Sequence, residues 1–206
     1  MSAPTISTRA DARSDNWRFL LPADVEPLVV CGPADLPRGR LAPRSQPALA
    51  VPDLGRLARS SMQTAERLVA DLVLLLQPGG WLCVGFDSTT SPASWPHLRT
   101  AAGRSGVVHV LQGLQVSITV YAALPGAQCP ALLIPTEDGA AFEYALHHVL
   151  YPHTRSTSAL RGRAEVTALG VARSAALHMP DRIRASLLRT FAPGLIVVGR
   201  RGEARP

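Results

Sequence analysis

A strand–helix–strand pattern in the middle of the chain constrains the fold more than any other feature. Ala48–Val51 is an apolar run that ends at Pro52-Asp53, and the longer segment Arg56–Gln77 repeats apolar residues at three- and four-residue steps. Pro78-Gly79-Gly80 ends that segment, and Trp81–Phe86 is a further apolar run. Such steps predict an amphipathic helix, and short apolar runs between turn residues predict buried strands. The order of these elements is typical of a parallel α/β sheet.

Shorter patterns extend this sheet on both sides. Leu28–Val30 is apolar and stops at Cys31-Gly32-Pro33, which predicts another parallel strand. Val107–Leu111 and Val116–Ala122 are rich in β-branched residues and predict two paired strands. The remaining predictions are helices over Ser94–Arg104, Ala140–Leu150, Leu160–Leu177 and Asp181–Phe191, an ordered Pro-containing loop over Leu124–Asp138, and a closing strand over Gly194–Gly199.

Composition limits the class of protein. The chain has 206 residues, of which 47% are hydrophobic and 17% charged, as expected of a folded protein. Residues 1–16 are polar and predict a flexible arm, and residues 17–206 predict a single domain. The net charge is +6 and every basic residue is Arg, but the arginines are scattered, so nucleic-acid binding is not favoured. Because no signal peptide or membrane-spanning run is visible, we expect a cytoplasmic protein that does not contact membranes.

The segment Leu74–Phe86 (LLLQPGGWLCVGF) resembles class I S-adenosylmethionine-dependent methyltransferases, in which a helix ends in Leu-Leu before Pro-Gly-Gly and a core strand. The strand that stops at Cys31-Gly32 is similar to the first strand of that family, and the strand that stops at Asp53 is similar to its fourth. This resemblance implies a Rossmann-like, mostly parallel sheet with added C-terminal helices. It also implies that Gly32, Asp35 and Asp53 stand at remnant cofactor-binding positions.

A second stretch, from Tyr121 to Pro135, resembles the C-terminal region of a methyltransferase-like subgroup from actinobacterial gene clusters. This resemblance implies a role in a specialised-metabolite pathway.

The chain departs from the family where the cofactor binds. Active members carry a loop of the type acidic-x-Gly-x-Gly-x-Gly after the first strand, whereas Cys31-Gly32-Pro33-Ala34-Asp35 stands here. Pro33 also removes a backbone N–H donor. The next strand begins at Ala48, which leaves no room for a helix and two strands of ~5 residues each with a crossover of ~10–12. The sequence therefore predicts a shortened sheet that lacks the ribose-binding strand.

Several side chains are candidates for chemistry. Asp53 and Asp87 end predicted parallel strands, where α/β folds place ligands, and each is either a general base or cofactor contact or, as we favour, a helix N-cap. Asp87 and Tyr121 are the residues expected to line a substrate or ligand cleft. Cys31 is either a nucleophile or, as we favour, a core residue.

Metal ligation is not expected. No two of the three cysteines have metal-ligand or redox spacing. The remaining candidates, His147, His148 and His153, lack a carboxylate at a specific spacing, so surface or packing roles are favoured.

These observations predict a methyltransferase-like protein that has lost standard S-adenosylmethionine binding, needs no cofactor and binds a partner or a small molecule. The alternative is an active methyltransferase with a remodelled S-adenosylmethionine site; no catalytic residue is identified for either function. A shortened sheet leaves Leu28–Val30 as an edge strand. An exposed apolar edge recruits other strands unless it is covered. We favour another chain as the cover, either a second copy or a pathway enzyme, over the nearby segments Trp17–Leu21 and 33–47.

Overall fold

The computed structural model describes residues 17–36, 44–87, 101–124, 126–128, 130–145, 174 and 178–203. Within these residues the chain forms one six-stranded sheet with helices. The strands are β1 (Leu28–Val29), β2 (Gln46–Val51), β3 (Leu76–Asp87), β4 (Val116–Leu124), β5 (Leu132–Pro135) and β6 (Gly194–Arg201). The helices are a 3-10 turn (Arg18–Leu20), α1 (Leu54–Ser61), α2 (Ala65–Leu75), α3 (Ala101–Gly113), α4 (Gly139–Tyr144) and α5 (Asp181–Phe191).

The strand order is β1-β2-β3-β6-β4-β5. β1, β2 and β3 pair in parallel, and β4 runs in the same direction because β6 lies antiparallel between β3 and β4. β5 pairs antiparallel with β4 at the far edge. The α/β, Rossmann-like fold with helices added after β4 is confirmed. The sheet is mostly parallel in the sense that β1, β2, β3 and β4 run in one direction, whereas β5 and β6 run in the other and pair antiparallel with their neighbours.

Period-two alternation along the strands divides the core between the two faces of the sheet. Leu82 and Val84 of β3 point to the face that α1, α2 and α3 cover, whereas Cys83 points to the opposite face. Among the described residues, this second face packs against Trp17, Leu21 and Ala127. Trp17–Leu21 therefore lies over the central strands rather than along the edge strand β1.

The predicted helix over Arg56–Gln77 is two helices. Met62 adopts a left-handed conformation with φ 55° and ends α1, and its N–H donates to the carbonyls of Ala58 and Arg59. Thr64 then begins α2, because its side chain accepts a hydrogen bond from the Arg67 N–H. The helix also stops at Leu75, earlier than predicted. The Pro-Gly-Gly segment lies inside β3, where the pairing with β2 is irregular.

Two further predictions are wrong. Val107–Leu111 is part of helix α3 rather than a strand, because Val107 and Leu111, one helical turn apart, are both fully buried. Packing against neighbours has overridden the strand preference of the valines. Leu124–Asp138 is not only a loop, because it contains β5, whose backbone groups pair with β4.

The strand predictions over Ala48–Val51, Trp81–Phe86 and Gly194–Gly199 are confirmed, as is the helix over Asp181–Phe191. The helix predicted over Ala140–Leu150 is confirmed through Tyr144.

The arm 1–16, the first part of Ser94–Arg104, most of Leu160–Leu177, and His147, His148 and His153 lie outside the described residues. The single domain over 17–206 stays a prediction. None of the helices that the structure describes is long and apolar enough to span a membrane.

Candidate functional site

The carboxyl ends of β1, β2 and β3 meet at one edge of the sheet, which we call the carboxyl edge. In doubly wound folds this edge carries the ligand site. The turn after β1 contains Gly32 and Asp35, two of the predicted cofactor-binding positions. One carboxylate oxygen of Asp35, Oδ2, accepts hydrogen bonds from the backbone N–H groups of Gly32 at 2.9 Å and of Cys31 at 3.0 Å. Successive backbone N–H groups of this kind form an anion-binding concavity, and the chain's own carboxylate occupies it.

Asp53, the third predicted position, follows β2 and is the N-cap of α1. Its Oδ1 accepts a hydrogen bond from the Arg56 N–H at 2.8 Å, so the favoured N-cap role is confirmed. Its other oxygen, Oδ2, accepts a hydrogen bond from Gln128 Nε2 at 2.8 Å. Asp53 therefore joins the start of a helix to a loop that comes much later in the chain.

The loop around Ala127 closes the middle of the carboxyl edge. Ala127 is fully buried against Gly85 of β3 and Gly194 of β6. A Cβ atom on Gly194 would lie 2.2 Å from the Ala127 backbone nitrogen, and one on Gly85 would lie 2.2 Å from the Pro52 carbonyl oxygen. The backbone segments approach this closely because both positions lack a side chain. The void that remains beneath the loop is too narrow for a water molecule.

Asp87 and Tyr121, the predicted cleft residues, lie at different depths in the sheet. The backbone of Asp87 ends β3 opposite Gly194, whereas Tyr121 pairs with Ile196, further from the carboxyl edge. Tyr121 is half-buried and packs against the second face of the sheet. The Asp87 side chain lies outside the described part of the structure, so the cleft role of this pair stays a prediction.

The two described cysteines differ in exposure. Cys31 is exposed, which corrects the prediction that it packs in the core. Val30 takes the buried position instead and donates its N–H to the Ala50 carbonyl, so the next residue faces outward. Cys83 is buried, and desolvation raises the pKa of its thiol to about 12. A thiol with so high a pKa is a poor nucleophile.

Within the part of the chain that the structure describes, no three His, Cys, Asp or Glu residues gather in a group that could hold a metal ion.

Gln128 and Ala127 were not identified from the sequence. They lie in a segment whose only visible signal is its proline and glycine content, and their partners are distant in sequence. Contacts of this kind leave no local pattern.

Comparison with known proteins gives a limited result. No family model matches the chain, and no curated protein matches it. The chain has weak structural similarity to a methyltransferase. The match is to phosphoethanolamine N-methyltransferase 2 of Haemonchus contortus, in complex with phosphomonomethylethanolamine and S-adenosylhomocysteine, with a TM-score of 0.36 and 9% sequence identity. It covers 80% of this chain and 35% of the other, so the chain spans about a third of that protein's length. A likeness of this size does not assign a function.

Proposed function

We propose that this chain is a methyltransferase-like protein that has lost standard S-adenosylmethionine binding and acts as an accessory protein that binds a partner chain or a small molecule. The observation that carries the proposal is the turn after β1. The carboxylate of Asp35 accepts hydrogen bonds from both backbone N–H groups of that turn, so neither donor is available to a ligand. The carboxylate of a cofactor's methionine end would have to displace this group and would meet its negative charge.

The rest of the carboxyl edge supports the same function. One carboxylate oxygen of Asp53 accepts a hydrogen bond at the N-terminus of α1, and the other accepts one from Gln128. Ribose hydroxyls could reach only the remaining lone pairs of this carboxylate, beside the Gln128 amide. Ala127 occupies the space above Gly85 and Gly194. The chain's own groups therefore fill positions that a bound ligand would otherwise take.

Calorimetry with S-adenosylmethionine and S-adenosylhomocysteine tests the proposal. We expect no saturable heat at ligand concentrations of about 100 μM, which corresponds to binding weaker than about −5.5 kcal/mol. The Asp35→Ala variant sharpens the test, because it frees the Cys31 and Gly32 donors and removes the charge. A gain of binding in that variant would locate the block at this turn. A dissociation constant in the low micromolar range for the unmodified protein would instead favour an active enzyme with a remodelled site.

The edge strand β1 supports the partner-binding part of the proposal. In the described part of the chain β1 pairs with β2 alone, and its Val29 is 38% exposed. A groove of about 390 Å³ lies between the turn after β1 and the helices α1 and α2. Its lining combines apolar residues (Leu36, Leu72 and Leu75) with polar ones (Ser60, Gln63 and Asp71). Met62, at its rim, is 94% exposed. An apolar edge of this kind suits an extended strand from another chain, which would pair with the backbone and place side chains in the groove.

The oligomeric state tests this interface. If a second copy supplies the strand, light scattering at tens of micromolar protein will give a dimer, and Met62→Glu will return it to a monomer. The matched control is Ile183→Glu, since Ile183 is an exposed apolar residue of α5 outside the groove. A strict monomer with slow amide exchange over residues 28–31 would show that the chain covers its own edge, and the partner interface would be withdrawn.

A further inference from the structure

The opposite end of the sheet, which we call the amino edge, carries an open groove of about 570 Å³. Its walls come from the approach to β2, the irregular start of β3, the junction of α3 with β4, and the end of β6. This volume lies within the range of small-molecule sites. The lining residues are Arg44, Pro78, Leu114, Gln115, Arg201, Gly202 and Glu203.

The start of β3, which supplies Pro78 to the groove, departs from regular pairing. Gln46 pairs with Leu76 and Ala48 pairs with Trp81, so the residues from Gln77 to Gly80 form an irregular stretch of β3. Gly79 permits this path with a φ of +77°. On the other side, the Gly202 N–H donates to the Gln115 carbonyl at 3.2 Å and ties the end of β6 to the start of β4.

Arg201 is a fixed cation in this groove. Its Nη1 donates to the carbonyl oxygens of Val73 at 2.8 Å and Leu76 at 2.5 Å, so it satisfies the C-terminus of α2. Within the described residues, its Nε and Nη2 make no hydrogen bond. A guanidinium held on one side and open on the other is pre-organised for an anion, because little side-chain entropy remains to be lost.

Arg44 supplies a second cation from a separate segment. Its backbone has a left-handed φ of 62°, and its N–H donates to the Leu74 carbonyl at 3.0 Å, which anchors the residue at the rim. Glu203 adds a negative charge, but its Oε1 lies 3.5 Å from Arg200 Nη2. The charges around the groove are therefore predominantly positive, and Leu114 and Pro78 add apolar surface beside them.

We propose that this groove binds a small organic anion, with a carboxylate or phosphate between Arg44 and Arg201 and an apolar part against Leu114 and Pro78. The site is separate from the carboxyl edge and does not depend on whether S-adenosylmethionine binds there. The geometry suits a molecule with one anionic group attached to a compact apolar body, because the cations and the apolar surface lie side by side.

Amide chemical shifts of the full chain, titrated with benzoate, test the proposal. We expect saturable shifts at Gln115 and Gly202, and no saturable shifts with benzyl alcohol, which has the same ring without the charge. A parallel titration with inorganic phosphate shows whether the anionic group alone is sufficient. Non-saturable shifts with both anions, or equal shifts with benzyl alcohol, would overturn the proposal.

Matched variants separate a built site from general attraction to a basic protein. Arg44→Gln should weaken benzoate binding by about three- to fivefold, as expected for an exposed ion pair. Arg56→Gln removes the same charge at the carboxyl edge, on an exposed side chain, and should leave binding unchanged. Glu203→Gln removes the competing carboxylate and should strengthen binding. Equal weakening by Arg44→Gln and Arg56→Gln would show that net charge alone attracts the anion. No gain from Glu203→Gln would show that the anion does not bind next to this carboxylate, and the proposal would fall.

Discussion

The two ends of the sheet differ in how the chain satisfies its own polar groups. At the carboxyl edge, the Asp35 and Asp53 carboxylates are both hydrogen-bonded to backbone N–H groups, and Gln128 adds a side-chain bond. At the amino edge, Arg201 satisfies two carbonyls and still lines an open groove. The edge where doubly wound folds bind ligands is therefore occupied here by the chain's own hydrogen bonds, whereas the opposite edge keeps an open groove.

The largest expected effect concerns the reactivity of the two described thiols, Cys31 in the turn after β1 and Cys83 on the second face of the sheet. In a Cys129→Ser background, a thiol reagent should label exposed Cys31 rapidly and buried Cys83 slowly. The raised pKa of about 12, against an ordinary value of 9.0, reduces the Cys83 thiolate by about a thousandfold near neutral pH. Stopped labelling followed by peptide mass spectrometry measures both rates. Similar rates in the folded protein would mean that Trp17, Leu21 and Ala127, which cover Cys83, move away from it readily.

The next largest effect concerns α2, which packs on one face of the sheet. Leu72 is 1% exposed in the core, and Leu72→Ala should cost about 2–5 kcal/mol through lost burial and a cavity. Leu74 is 54% exposed on the same helix, so Leu74→Ala should change stability by less than ~0.5 kcal/mol. Urea unfolding of the two variants provides the measurement. Equal losses would mean that the buried face of α2 is assigned wrongly.

A smaller effect tests the backbone contact that closes the carboxyl edge. Gly85→Ala places a methyl group against the Pro52 carbonyl and should destabilise the protein by about 1–3 kcal/mol. Gly113→Ala is the control, because outside the adjacent helix backbone no atom lies within 4 Å of the added methyl group and the helix should be slightly stabilised. Thermal unfolding compares them. A neutral Gly85→Ala variant would show that Pro52 and the Ala127 loop do not constrain this position.

The smallest effect separates the two hydrogen bonds of Asp53. Asp53→Ala removes both the cap of α1 and the bond to Gln128. Thr64→Ala removes only the cap of α2 and should cost about 1 kcal/mol. Gln128→Ala should cost about 0.5–1.5 kcal/mol, and the double variant Asp53→Ala/Gln128→Ala should cost less than the sum of its single changes. Strict additivity in denaturant unfolding would mean that this bond does not stabilise the closed edge.

The successes and errors of sequence interpretation follow the range of the interactions involved. The Asp53 cap was predicted correctly because it depends on residues three positions apart. Val107–Leu111 was misassigned because its residue types favour a strand while its neighbours in space favour a helix. The division of the helix at Met62 had a local signal in Thr64, which begins α2 as a side-chain cap. That signal was outweighed by the continuous apolar spacing on both sides.

The parallel core of β1, β2 and β3 can be predicted from the sequence alone, because each apolar run is short, is bounded by turn residues and alternates with helical spacing. The antiparallel entry of β6 between β3 and β4 follows from tertiary packing, because strand order depends on contacts between distant segments. The same packing places Ala127 over Gly85 at the carboxyl edge and brings Arg44 and Arg201 to the lining of one groove at the amino edge. The physical reason is that local patterns encode which face of an element is buried, whereas the partner that buries it is chosen by the packing of the whole chain.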